Sequence, residues 1–277
     1  MRQEKKERLN REGAATKIGI ERRKASTVRV RDLEIGGSNP VVIQEMTSVP
    51  VRDVSASVRQ IRSLQEIGLR LVRVAVPDPE SALAVKTVRR LCGIPVVADI
   101  HFDYKLALLA LEAGCDKLRI NPGNIGSSRK LLEVVRAAKE RGVPIRVGVN
   151  SGSLGKDVLY RYGGRNSEAM VESALKEVSL LERQGFEDIV ISLKSPDIRL
   201  TVEANREAAR RVAYPLHVGI TEAGFGMDGV VRSVCGLAPL LIAGIGDTVR
   251  ISLTENDRKK NLWVCMKVLE GLGIEYV

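Results

Sequence analysis

Residues 95–124 read PVVADIHFDYKLALLALEAGCDKLRINPGN, and the architecture is decided in this stretch. PVVADI is a short β-branched run, YKLALLALEAG carries apolar residues at helical spacing, and DKLRI is a second β-branched run. Gly114 closes the helical segment as a left-handed stop, and Pro95 opens the first strand where a missing N–H does little harm. Strand, helix and strand in so few residues are the repeating unit of a parallel sheet.

The same alternation continues in both directions. PVVIQEM and LRLVRVAV come before it, PIRVGV, DIVISL, PLHVGI and DTVRISL come after, and a helical pattern follows each of the eight runs. Eight strand-helix units in about 230 residues fit an α/β (β/α)8 TIM barrel, with an open doubly wound sheet as the alternative. Ahead of them, TVRVRDLEIGGSN alternates apolar and polar around Gly36 and Gly37 and reads as an N-terminal β-hairpin covering the barrel bottom. The expected organisation is a flexible basic tail over residues 1–24 and one barrel domain over residues 25–277.

Composition narrows the class. With 44% hydrophobic and 28% charged residues in 277, a packed core is expected beyond the tail. No apolar run reaches about 18 residues and no secretory signal pattern opens the chain, so a soluble, cytoplasmic protein is expected, with no membrane partner. The formal net charge of +10 raises nucleic acid as a partner. Aromatic residues at 3% leave few stacking platforms, no DNA-binding spacing is present, and much of the excess lies in RQEKKERLNR and ERRK, so no nucleic-acid partner is expected. Cys92, Cys115, Cys235 and Cys265 are far apart, form no C-x-x-C pair and accompany two histidines, so isolated buried thiols are expected and no metal site in this chain.

Five cations recur at matching places: Arg73 in LVRVAV, Arg119 in KLRINPGN, Arg146 in PIRVGVN, Lys194 in VISLKSP and Arg250 in TVRISL. Like charges gathered in a buried place repel, so a strongly negative ligand is needed to complete them. Residues two apart on a strand share a face, which puts Asn121 with Arg119 and Ser252 with Arg250, while Asn150 lies four beyond Arg146. The alternative is an interior salt-bridge layer, but Asp99 and Glu222 are the obvious acidic residues at these strand ends, fewer than the cations. Arg forks match phosphate oxygens and Lys acts as a point charge, so a diphosphate is the natural anion. NPGNIG adds backbone N–H groups and a helix start, without matching a nucleotide-triphosphate loop. Proton-transfer candidates are Asp99 and His101 in ADIHFD, with His217 and Glu222 in PLHVGITEAG. A histidine on a strand is also a common hydrogen-bonded core residue, and nothing matches a Ser-His-Asp triad.

VVADIHFDYKLAL, LRINPGNIG, PIRVGVNSGSL, HVGITEAG and GIGDTVRISLT, in this order and spacing, resemble the N-terminal barrel of the 4-hydroxy-3-methylbut-2-enyl diphosphate synthase family. The resemblance runs from about Thr27 to Val277. It implies an oxidoreductase of the methylerythritol phosphate route to isoprenoids, which reductively opens 2-C-methyl-D-erythritol 2,4-cyclodiphosphate. It further implies that Arg73, Arg119, Asn121, Arg146, Asn150, Lys194, His217, Arg250 and Ser252 bind substrate, with Glu222, Asp99 and His101 as catalytic candidates. Family members carry a second domain whose three cysteines and one glutamate hold a four-iron four-sulfur cluster, fed by ferredoxin or flavodoxin, and their architecture is a homodimer. That iron-sulfur domain is absent from this chain and none of its cysteines matches a cluster ligand, so the expectation is a barrel that holds no cofactor and binds substrate without reducing it. A departure lies in the loop after the first barrel strand, Thr47 to Asp53, where Pro50 and Val51 replace polar positions and put its substrate contacts in doubt. Two other readings stay open: a pterin-synthase-like barrel condensing a diphosphate ester, and a non-catalytic module for anions or nucleic acid.

Overall fold

The computed structural model describes residues 19–101, 103–121, 128–255 and 257–277. Strands β1 (Thr27–Val30) and β2 (Leu33–Gly36) form an antiparallel hairpin. Eight parallel strands then follow: β3 (Val42–Met46), β4 (Leu71–Ala75), β5 (Val96–Ile100), β6 (Lys117–Ile120), β7 (Ile145–Asn150), β8 (Ile189–Lys194), β9 (His217–Val218) and β10 (Thr248–Val249). Their order is β8-β7-β6-β5-β4-β3-β10-β9. The two ends of that order meet through a parallel bridge from Ile191 to Leu216, where the Ile191 N–H donates to Pro215 O at 2.9 Å. The expected barrel is therefore present, and the doubly wound alternative is not.

The helices that return the chain are α1 (Val54–Gln65), α2 (Pro79–Cys92), α3 (Tyr104–Glu112), α4 (Ser128–Arg141), α5 (Lys156–Arg161), α6 (Ser167–Glu182), α7 (Ile198–Arg211), α8 (Gly226–Ile242) and α9 (Arg258–Gly271). Asp53, Asp78, Asp103, Asp197 and Asp257 each accept a backbone N–H from the first turn of the helix they precede. These caps matter for the site, because they engage acidic residues of the βα loops as helix starts. Gly114 adopts φ 83°, the left-handed stop expected of it. Helix α5 is an addition that the strand-helix pattern did not predict.

Strand residues divide cleanly by alternation. Ile43, Val72, Val74, Ala98, Leu118, Val147, Ile191 and Val249 join the large core cluster that includes buried residues of the helices, so they face outward from the barrel. The alternate set includes Val42, Leu71 and Val97, which pack with Val30, Leu33 and Ile35 of the hairpin in a separate cluster. The hairpin thus closes the barrel bottom as expected, but its turn falls at Arg31 and Asp32 rather than at the glycines, with Arg31 at φ 58°. Above that apolar floor the inner set turns polar: Gln44, Asp99, Lys117, Arg119, Arg146, Ser192, Lys194, His217 and Thr248 are all buried.

Residues 1–18 of the expected tail lie outside the described residues. Arg22 and Arg23, within its boundary, are docked: Arg22 Nη2 donates to Asp247 Oδ1 at 2.6 Å, and Arg23 donates to the carbonyls of Val212 and Tyr214, each at 2.6 Å. A Cβ on Gly244 would meet the backbone of Glu21, Arg22 and Arg23, so that position is closed to larger residues. Of the cysteines, Cys92, Cys115 and Cys265 are buried as expected, but Cys235 is exposed because it sits on the outer side of α8.

Candidate functional site

The five strand cations converge on the inside of the barrel at the C-terminal ends of its strands. In the sheet register Arg73 stands beside Met46, Asp99 beside Arg119, Arg119 beside Arg146, and Asn150 beside Lys194. Asp99 ties three of the side chains together, with Oδ1 3.1 Å from Arg119 Nη1, and Oδ2 3.6 Å from Arg73 Nε and 3.1 Å from His101 Nε2. Arg73 also directs Nε and Nη2 at the sulfur of Met46, at 3.2 and 2.9 Å. Arg250 Nε reaches Glu45 Oε1 at 3.2 Å and its Nη1 donates to Ser252 Oγ at 3.0 Å.

Two carboxylates, Asp99 and Glu45, therefore share the interior with six cationic strand side chains, because Lys117 joins the five expected ones. Lys117 and Glu45 were not singled out from the sequence. Lys117 lies two residues before Arg119 on the same face, so the period of two that marked Arg119 marks it as well. Glu45 pairs with a residue 205 positions away, across the β3–β10 junction, and no local pattern reveals that.

This charge balance acts on the ionisation of these groups. Burial alone would raise the Asp99 pKa, but Arg73, the His101 hydrogen bond and Arg119 outweigh it and hold the carboxyl well below the usual range. Asp99 is a permanent counter-ion, unsuited to taking a proton at neutral pH. Burial, then the neighbouring Arg146 and Arg250, pushes the Lys194 amine well below its ordinary value. Burial is also the main cause of the downward push on Arg73, to about 10, and on Arg146. A guanidinium keeps its proton at any pH where proteins fold, so for the arginines the push reflects the cost of burying the charge. Among the described residues, Arg146 Nε and Nη1 and Arg119 Nε have no hydrogen-bond partner.

Glycines make room for this cluster. A Cβ on Gly148 would stand 2.8 Å from Arg119 Nε and 3.1 Å from Ser192 Oγ, and one on Gly219 would stand 2.9 Å from Lys194 Nζ and collide with the carbonyl of Arg250. Above the cations opens a cavity of about 560 Å³ lined by His101, Asn121, Asn150, Ser151, Ser153, Arg165, Thr221 and Glu222, among others. Asn121 Nδ2 donates to Ser153 Oγ at 2.9 Å. Glu222 is exposed at this rim with φ 51°, a left-handed conformation that costs a non-glycine residue about 1–3 kcal/mol. Arg119 lies one inward-facing position deeper than Asn121 and Arg146 two deeper than Asn150, while Lys194 is level with Asn150. Arg73, Arg119 and Arg250 keep 13%, 7% and 8% side-chain exposure, so their edges are reachable from above, while Arg146 lies beneath.

Three further features singled out in the sequence stand apart from the rim. His217 is fully buried below the mouth, its Nδ1 3.2 Å from Thr248 Oγ1, and burial first, then Lys194 and Arg146, keeps the ring uncharged. The NPGNIG loop beyond Asn121 lies outside the described residues. The Thr47 to Asp53 loop folds on itself: Val51 is buried, Ser57 Oγ donates to Pro50 O at 3.1 Å, and Arg52 pairs with Asp78 at 2.8 Å.

The thiols offer no cluster site. Burial raises Cys92 to about 11 and Cys265 to about 12 and raises Cys115 further, so all three are protonated. Among the described residues no group of three or more His, Cys, Asp or Glu side chains is placed to hold a metal ion. The residues present do not fit an iron-sulfur cluster. Among the described residues, no helix is long and apolar enough to cross a membrane.

Fold and site together define a TIM-barrel domain whose mouth rests on a cluster of cations in excess of their counter-ions. The chain belongs to the GcpE TIM-barrel domain family, whose sequence profile matches residues 25–266. A protein of Caldanaerobacter subterraneus, 4-hydroxy-3-methylbut-2-en-1-yl diphosphate synthase (flavodoxin), is 51% identical over 247 residues, covering 89% of this chain and 69% of the relative. The protein of the same name from Geobacillus thermodenitrificans is 52% identical over 255 residues, covering 92% and 68%. Among solved structures, dihydropteroate synthase from Xanthomonas albilineans superposes with a TM-score of 0.61 at 14% identity, over 89% of this chain and 98% of that one. The 3-dehydroquinate dehydratase of Geobacillus kaustophilus gives 0.62 at 15%, over 90% and 98%. At such identities the structural likeness shows the fold alone.

Proposed function

We propose that this chain is the substrate-binding barrel of a 4-hydroxy-3-methylbut-2-enyl diphosphate synthase, and that its mouth takes the diphosphate of 2-C-methyl-D-erythritol 2,4-cyclodiphosphate. The observation that carries the reading is the excess of buried cations over Asp99 and Glu45, with guanidinium donors lacking protein partners. A diphosphate supplies the missing charge and the missing acceptors together. Arg119, Arg250 and Arg73 present their edges to it, Lys194 adds a point charge, Arg146 supports them from below, and Asn121, Asn150 and Ser252 fix its orientation at the rim. The carbon skeleton then projects into the cavity beside His101 and Glu222. Glu222, solvent-reached at the rim, is the proposed proton-transfer carboxyl, because Asp99 is locked as a counter-ion. The relatives' names specify flavodoxin, so a flavodoxin is the proposed electron donor of the enzyme to which this barrel belongs. No reductive step is assigned to the thiols described above.

Inorganic pyrophosphate is the simplest probe. Titration calorimetry is expected to give saturable binding at one site per chain and a rise in melting temperature, with orthophosphate weaker. Duplex DNA bound with steep salt dependence, and no saturable pyrophosphate site, would favour the nucleic-acid module instead.

A further inference from the structure

Beneath the cations that face the mouth lies a second layer of inward side chains that the binding of an anion does not directly use. Lys117, on the inner face of β6 beside Val97, is fully buried. Its Nζ has no hydrogen-bond partner among the described residues, and neither have the Gln44 amide, His217 Nε2, or Nε and Nη1 of Arg146. No carboxylate is among the groups that act on Lys117: the charges facing it are Arg146 from β7 and Arg73 from β4, and His217 of β9 feels it in turn. Lys194, at the end of β8, is another amine in the same interior. A charged lysine without a counter-ion is among the most costly groups to bury, so burial favours the uncharged amine.

We propose that Lys117, buried on the inner face of β6 without a counter-ion, is a positioning residue of the anion site: it takes up a proton from solvent when a polyanion is bound above it. This rests on the reading of the mouth as an anion site. The negative ligand favours the charged form of every base beneath it, so binding draws protons in, and the resulting ammonium strengthens the field that holds the anion. Burial first, then Arg146 and Arg73, keeps the amine well below its ordinary pKa before the anion arrives. A lysine that only filled space would be silent in this respect.

Inorganic sulfate is the appropriate probe, since it carries no titrating proton near neutral pH. Calorimetry on the full chain at pH 7.5, in two buffers of contrasting ionisation enthalpy, counts the protons taken up per anion bound. Wild type is expected to take up about one proton, with affinity falling about tenfold per unit rise in pH. Lys117→Met, similar in length and uncharged, is expected to take up about one proton fewer and to show a shallower pH profile, with sulfate binding about five- to tenfold weaker. Should Lys117→Met not fold, Lys117→Gln provides the same subtraction, and a wild-type count of zero overturns the proposal without any variant. An unchanged count in the variant also overturns it, as does a count that disappears in His217→Gln instead. A wild type that binds neither sulfate nor pyrophosphate overturns the anion site itself, an outcome distinct from binding without proton uptake.

Discussion

Asp99→Asn is expected to destabilise the barrel by about 3–5 kcal/mol, the usual cost of removing one partner from a buried ion pair. The substitution keeps the shape of the side chain but leaves Arg119, Arg73 and His101 without the carboxylate that lies 3.1, 3.6 and 3.1 Å from them. Its pH dependence has a definite sign. The folded-state pKa of Asp99 lies below the unfolded value of about 3.9. The stability it contributes is therefore complete above about pH 4 and is lost as pH falls through the folded-state value. Denaturant unfolding from pH 7 downward should show a constant gap between wild type and variant that narrows below about pH 4. A gap under 1 kcal/mol at pH 7 would remove Asp99 from the centre of the cluster. Pyrophosphate should restore more stability to the variant than it adds to wild type, because the anion replaces the lost counter-charge.

Arg146→Met carries the second large effect, and it acts in the opposite direction on stability. The thioether fills much of the volume left by the guanidinium, while the repulsion from Arg73 and Arg119 that acts on Arg146 disappears. The protein should fold as well as wild type or better. Pyrophosphate binding should nevertheless weaken by about 1.5–3 kcal/mol, the range for a charge-assisted hydrogen bond. Calorimetry and a denaturation curve on the same preparation separate the two effects. Unchanged affinity would mean that Arg146 fills the barrel without supporting the ligand.

The barrel was legible because its strands carry two codes at once. Ile43, Val72, Leu118 and Val147 face the helices, so every run looks β-branched, while the residues between them are free to be polar. Arg73, Arg119, Arg146, Lys194 and Arg250 stood out against that background, and alternation alone implied that they share the interior. Helix α5 escaped because it is six residues long and buries none of them, so it carries no apolar stripe to read. Glu45 escaped for a different reason: its partnership with Arg250 exists only because the last barrel strand returns to the first. The hairpin turn was drawn toward Gly36 and Gly37, yet the chain reverses at Arg31 and Asp32, and Gly36 is needed where a Cβ would collide with the Ser26 carbonyl. The acidic balance of the mouth also lay partly beyond reach. Asp103 and Asp197 stand near the cations in sequence, but their carboxylates are engaged at helix starts.

The proposed diphosphate site rests on the excess of buried cations at the mouth. The most direct measurement is calorimetric titration with 2-C-methyl-D-erythritol 2,4-cyclodiphosphate, repeated in the presence of pyrophosphate. One saturable site per chain is expected, displaced competitively by pyrophosphate and weakened in Arg146→Met. Absence of binding heat at several temperatures, or binding that pyrophosphate does not displace, would contradict it.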